Sequence, residues 1–371
     1  MHERFKAVLP ARGSDPYEVM KPGMITRHVS AFSLAVLALL ATSVSARAQF
    51  EAETRDVTKR GTAAAEFLSI PVGARATAMG NAYSASVDDA TAMYWNPAGL
   101  TGITGVSLAA EYAEWLVGID FNYVALVVPT RAGTFGLAIT SLQAPDMEVT
   151  TVEEQNGTGE TFDAASYAVA ASYARALTDR FSLGGTAKLV TERIWHSSAS
   201  SFALDVGTTF VTPFRGIRLG ASISNFGSKL RIGGDDLSTI VDIDPNSGGN
   251  NDAIRARLQT DRFDLPLIMR IGLAGEVFQG QGSRLTLAVD ALSPSNSEQY
   301  VNVGTELGLL GDLIMLRAGY SELFLDDSIR SFTLGGGLRY RFGSLAFAVD
   351  YAYEDQQYFD GVNRFTLAIE L

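Results

Sequence analysis

Residues 344–354 read SLAFAVDYAYE, and the alternation in that stretch decides the fold. Leu345, Phe347, Val349, Tyr351 and Tyr353 share one face of an extended chain, while Ala346, Ala348, Asp350, Ala352 and Glu354 share the other. Strand side chains point to opposite faces with a period of two, so one face is greasy and the other small or charged. The same pattern recurs in 330–342, where Phe332, Leu334, Leu338, Tyr340 and Phe342 oppose Thr333, Gly335, Gly337, Arg339 and Arg341, and in 284–292. A soluble sandwich also alternates, but with bulk inside and charge outside, so the period alone does not choose between core and lipid.

Signals of location make the choice. Residues 1–48 read as an upstream extension and a secretion signal: Arg27 and His28 are basic, Ala31 to Ala41 is apolar, and Ala46-Arg47-Ala48 fits an A-x-A cleavage site before Gln49. Met24 or Met20 is the natural start of such a signal. No later run approaches the roughly 20 apolar residues of a helical span, although 47% of the chain is hydrophobic. An exported, apolar chain without a spanning helix implies an all-β transmembrane barrel in a Gram-negative type of outer membrane, with lipid as its surroundings.

Cysteine is absent, which excludes thiol catalysis, thiolate metal sites and disulfides. The net charge is −12, and removal of residues 1–48 leaves 23 basic against 38 acidic residues. That excludes nucleic acid as a partner, which needs a basic footprint.

The alternation gives fourteen antiparallel strands between residues 105 and 371, preceded by a lead-in at 49–65, read as periplasmic, and an N-terminal plug at 66–104. Connection lengths orient the barrel, since barrels of this class have short periplasmic turns and longer outer loops. Turns such as 130–132, 213–215, Gly311 and Gly343 are short; 143–162 and 227–263 are long and face outward. Aromatics at strand ends agree, with Trp115, Trp195, Tyr300, Phe324 and Tyr353 at the outer end. The small-residue face carries Lys188, Asp205, Arg218, Arg270, Glu276, Arg284, Asp290, Glu306, Arg317, Arg339, Arg341 and Asp350. Unpaired charge in a closed lumen is costly, so these residues should form ion-paired ladders or line water.

Before the barrel stands GARATAMGNAYSASVDDATAMYWNPAGL, residues 73–100. Small helix formers fill 73–82, Ser86, Asp88 and Asp89 can cap a second helix, and Asn96-Pro97 stops it. On bare physics this is a small helical plug for a wide lumen. The string resembles the N-terminal plug of FadL-type outer-membrane proteins, and within them the PorV/PorQ branch. Asn96, Pro97, Ala98, Gly99 and Leu100 match the family's NPA motif, and Met79, Gly80, Asp88 and Asp89 its upstream part. The last residue is Leu371, where the assembly signal of outer-membrane barrels has Phe. The residues themselves give the motif an architectural part: a turn at Asn-Pro, a permissive backbone at Gly99, and packing at Leu100.

The resemblance implies two functions. A PorV-like protein is a non-catalytic component of type IX-like secretion, binding cargo proteins and secretion machinery through its outer loops. A FadL-like protein transports hydrophobic compounds such as long-chain fatty acids. The acidic outer loops, without an evident greasy landing site, favour secretion. Catalysis is not expected: His196 is the only histidine after the signal, and a hydrolase triad would depend on it. No cofactor or metal is expected. Asp242, Asp244, Asn246 and 248–252 resemble a fragment of a calcium loop, but Ala253 stands where the bidentate acid belongs. Gly335 to Gly337 reads as a barrel bend.

Overall fold

The computed structural model describes residues 59–244, 246 and 253–371. The expected signal peptide and most of the calcium-like loop lie outside the described residues. No described helix is long and apolar enough to cross a membrane.

Fourteen long strands form one ring: β1 (Ser107–Glu114), β2 (Asp120–Thr130), β3 (Gly133–Gln143), β4 (Ala164–Ala176), β5 (Phe181–Ile194), β6 (Ser197–Val211), β7 (Arg218–Gly227), β8 (Ile268–Gly280), β9 (Ser283–Pro294), β10 (Tyr300–Leu309), β11 (Ile314–Leu323), β12 (Arg330–Phe342), β13 (Leu345–Gln356) and β14 (Phe359–Glu370). Each pairs antiparallel with its neighbours, and β14 pairs with β1 from Ser107↔Glu370 to Glu114↔Asn363, which closes the barrel. Closure leaves no open sheet edge, as a lipid-facing sheet requires. β8 starts at Ile268, a few residues later than the alternation suggests, because Pro266 cannot donate to a ladder.

Burial follows the alternation. In β13, Phe347, Val349 and Tyr351 are exposed on the outside, whereas Ala346, Asp350, Ala352 and Glu354 are buried inside. In β3, Phe135, Leu137 and Ile139 face out. An exterior of bulky apolar residues around a polar, small-residue interior is the pattern of a barrel standing in lipid.

The interior is filled by residues 65–103, nearly all buried. This plug holds two short helices, α1 (Ala74–Ala78) and α2 (Ala92–Trp95), and two 3-10 turns, Glu66–Ser69 and Pro97–Gly102. Its Trp95, Tyr83, Met79, Met93 and Leu100 are at most 2% exposed and form the apolar core of the molecule.

The lead-in differs from expectation. Its described residues lie at the outer mouth: Arg60 donates to the Asp326 carbonyl at 2.7 Å, Ala64 N–H to Asp264 O at 2.9 Å, and Asn296 to Glu66 at 2.7 Å. All three partners belong to connections on the long-loop side. The chain therefore runs from the outer mouth down through the lumen, and β1 begins at the inner mouth, where Gly105 N–H meets Glu370. The polar composition of 49–65 suggests a segment on the periplasmic side; what draws its described end to the long-loop rim is pairing with the Asp264 and Asp326 carbonyls.

Candidate functional site

The plug is seated by three kinds of contact. The first is backbone against backbone. A Cβ on Gly304 would overlap the Met79 carbonyl, one on Gly319 the Gly80 amide, and one on Gly207 the Asn96 side chain. Gly80 itself, with φ +62°, is wedged against Val303 O and Tyr320 N of β10 and β11. Gly335 belongs to the same set, since a Cβ there would lie 2.5 Å from Ala78 Cβ. Of the glycine run in β12, Gly335 thus meets the plug, whereas Gly336 and Gly337 face wall residues Met315, Asp350 and Arg317.

The second is a set of buried ion pairs. Glu306 of β10 receives Arg75 of the plug at 2.8 Å, Arg317 at 2.7 Å and Arg284 at 2.8 Å. Arg317 continues to Asp350 at 2.6 Å, and Arg75 to Asp88 at 2.5 Å. On the neighbouring strands Arg364 of β14 pairs with Glu111 of β1 at 3.0 Å and donates to Pro71 O at 2.9 Å. Glu111 also accepts the Gly73 N–H at 2.6 Å. Lys188 pairs with Asp205 at 2.6 Å, and Asp290 accepts the N–H groups of Tyr83 and Ser84. Shared hydrogen bonds make such buried charges tolerable.

The third is the motif. Asn96 Oδ1 accepts the Ala98 N–H at 3.2 Å as an N-cap, while Nδ2 donates to Ser84 O at 2.8 Å and to Thr208 O of β6 at 3.0 Å. Pro97 opens the 3-10 turn, Gly99 lies flat against Val87, and Leu100 is fully buried with Ala98. Asp89 accepts from Tyr83 Oη at 2.6 Å and from Thr91 N–H at 2.9 Å. Burial alone would raise the Asp88 pKa, but the charges of Arg75, then of Arg218 and Arg339, outweigh it and hold the carboxyl below its usual range.

Of the charges assigned to the lumen, Lys188, Asp205, Arg270, Asp290, Arg317 and Asp350 are buried there, and Arg218 is half-buried. Glu276, Arg339 and Arg341 are exposed instead. They sit on the inward parity but near the inner strand ends, where the mouth opens to water and needs no ladder. Trp115 and Tyr300 also depart from a lipid-interface role. Trp115 packs under Arg364, 5.1 Å from ring centre to guanidinium, and Tyr300 lines a cavity. Arg75, Glu111 and Arg364 are buried charges of the plug's seat that the sequence analysis does not single out. Glu111 and Arg364 carried the same signal as the others, a lone charge on the small-residue face.

Two of the spaces in the molecule lie beside the plug. One, of about 140 Å³, lies toward the outer mouth between Tyr94, Trp95 and Asn81 of the plug and Ile268, Arg270, Leu292, Tyr300, Asn302 and Arg330 of the wall. The other, of about 20 Å³, lies between Phe67, Leu68 and Met93 and the wall residues Tyr123, Ala138, Ala168 and Ala170. Tyr94 borders both. Among the described residues no three His, Cys, Asp or Glu side chains gather as a metal ion would require. His196 sits in an outer turn, with Asp236 3.1 Å from its ring and Ser197 also bound to Asp236, far from any cavity lining. The outer loops are less polar than their composition suggests: Ile240, Ile243 and Leu258 are 69%, 73% and 60% exposed, which removes the argument from a missing greasy surface.

The class defined by this fold and site is a plugged, fourteen-strand transmembrane β-barrel of the outer-membrane type. Two solved structures share it. One is described as the CymD monoaromatic hydrocarbon channel, with a TM-score of 0.52 and 13% identity over 81% of this chain and 96% of that one. The other is the toluene transporter TodX of P. putida, with a TM-score of 0.50 and 12% identity over 80% of this chain and 96% of that one. At such identities the likeness is one of fold. No protein-family model and no curated protein matches the sequence.

Proposed function

We propose that the protein is an outer-membrane channel for small hydrophobic compounds, which enter at the outer mouth and pass beside the plug. The observation that carries this reading is the outer cavity beside the plug, floored by Tyr94 and Trp95. A concave site with an aromatic floor and a few convergent polar groups is the usual form of a small-molecule site. Tyr94 stands between that cavity and the smaller, alanine-walled space, so its movement would join them. The names of the two structural neighbours, both channels or transporters of aromatic hydrocarbons, support the same reading.

The test is uptake of radiolabelled toluene by cells whose outer membrane carries the protein. Uptake should rise over cells lacking it, and Tyr94→Ala should raise it further. Uptake equal to that of cells without the protein overturns the reading.

The secretion reading is supported by the plug motif's likeness to the PorV/PorQ branch and by the exposed Ile240, Ile243 and Leu258 on the long outer loop, which a cargo protein could cover. A pull-down from native outer membranes decides for it only if exported proteins with related C-terminal domains are recovered.

A further inference from the structure

One member of the outer cavity is not used by a purely hydrophobic ligand. Arg270 is 2% exposed and lines that cavity. Its guanidinium carbon stands 5.3 Å from the Tyr94 ring centre and 5.4 Å from that of Trp95. Nη1 donates to Ser224 Oγ at 3.0 Å, while the buried Nε has no partner. Among the described residues no carboxylate forms an ion pair with Arg270. Glu322, on the same lining, is taken by Arg330 at 3.5 Å and by the Ser328 hydroxyl at 2.6 Å. Asp290, on β9, spends one oxygen on two plug amides, and its other oxygen lies over Gly272.

Arginine cannot shed its charge, and Asp290 acts on Arg270 only through its field, without a direct ion pair, so the buried guanidinium can still receive an anion from outside. The free N–H edge of a guanidinium matches a carboxylate. The volume suggests what carries that carboxylate: about 140 Å³ is close to the ~150 Å³ that accepts a single benzene ring. Tyr94 and Trp95 offer the ring an aromatic floor.

We propose that the outer cavity is an acid-selective site, in which Arg270 receives the carboxylate of a single-ring aromatic acid and Tyr94 and Trp95 receive the ring. This rests on the channel function and names the compound class its outer site selects. It separates this chain from a channel that sorts by hydrophobicity alone.

The wild-type protein in lipid nanodiscs is titrated at fixed ionic strength with benzoate, benzyl alcohol, toluene and sodium chloride, read by calorimetry and by tryptophan fluorescence. Benzoate should bind at least about tenfold more tightly than benzyl alcohol, the factor expected of one hydrogen bond to a charged group. Arg270→Gln should abolish that preference, bringing benzoate and benzyl alcohol to equal affinity. Equal affinities in the wild type, chloride binding as tightly as benzoate, or a preference that survives Arg270→Gln each overturn the proposal. If Arg270→Gln does not assemble, the wild-type comparison decides alone. Toluene uptake without benzoate selectivity removes the acid site and leaves the channel standing; benzoate selectivity without uptake of any ring compound does the reverse.

Discussion

Gly304 of β10 and Met79 of the plug meet main chain to main chain, so that any side chain at Gly304 would occupy the place of the Met79 carbonyl. Gly319 of β11 stands in the same relation to Gly80. The plug is therefore held by shape at these strands, and a single methyl group is enough to lift it.

Gly304→Ala or Gly319→Ala should leave the barrel assembled but displace the plug, at the roughly 1–3 kcal/mol of an overpacked contact. Ion conductance in planar bilayers should rise in both variants. Gly185→Ala is the matched control, since its Cβ would lie 3.5 Å from the nearest atom. Wild-type conductance in all three variants would show that the glycines do not seat the plug.

Glu306→Gln keeps the side chain's size but removes the charge shared by Arg75, Arg284 and Arg317. Leaving buried arginines without their acid should cost about 3–5 kcal/mol. The urea midpoint of the barrel refolded into liposomes should fall accordingly, and a midpoint equal to wild type would contradict the pairing.

Asn96→Ala deletes the N-cap and two donations, to Ser84 O and Thr208 O. Each buried carbonyl left unpaired costs about 1–3 kcal/mol. The plug should become sensitive to protease in the 84–100 region while strands remain protected. Asn96→Asp should restore the cap but not the donations, giving an intermediate rate of cleavage.

At Asp236 partial burial pulls the pKa up, but hydrogen bonds from the Ser197 hydroxyl and from the His196 ring and N–H prevail and hold it below its ordinary value. These bonds tie the long outer loop to β6. A depressed carboxylate pKa gives a stabilisation that is complete above the unfolded value and lost as pH falls through the folded one, here below about pH 4. Protection of the 230–240 amides, taken relative to their intrinsic exchange rates, should fall below that pH and hold steady between pH 5 and 7. In Asp236→Asn exchange should already be fast at pH 7.

The strand number and most of the buried inward charges were legible because a period of two is a property of the chain alone. The seat of the plug was not. Gly304, Gly319 and Gly335 look like any strand glycine until the plug lies on them, and Arg75 reads as one residue of a small-residue helix until Glu306 appears beside it. The path of residues 59–65 is hidden for a similar reason: a polar segment suits either mouth, and only its partners Asp264 and Asp326 choose between them. Arg270 was visible as an inward charge, but its lack of an acid partner is a property of the packed site.

Pro71, Gly73 and Ala74 bond to Arg364, Glu111 and Thr366, which belong to the two strands that complete the ring. The chain from Lys59 to Gly105 lies inside that ring, from one mouth to the other. A finished barrel could take it up only by drawing the chain end through the lumen, so the last seam must shut around a plug already in place. The earliest part of the folded chain is thus a template against which the final strand is fitted, and a plug that fails to form should appear as a barrel that fails to close.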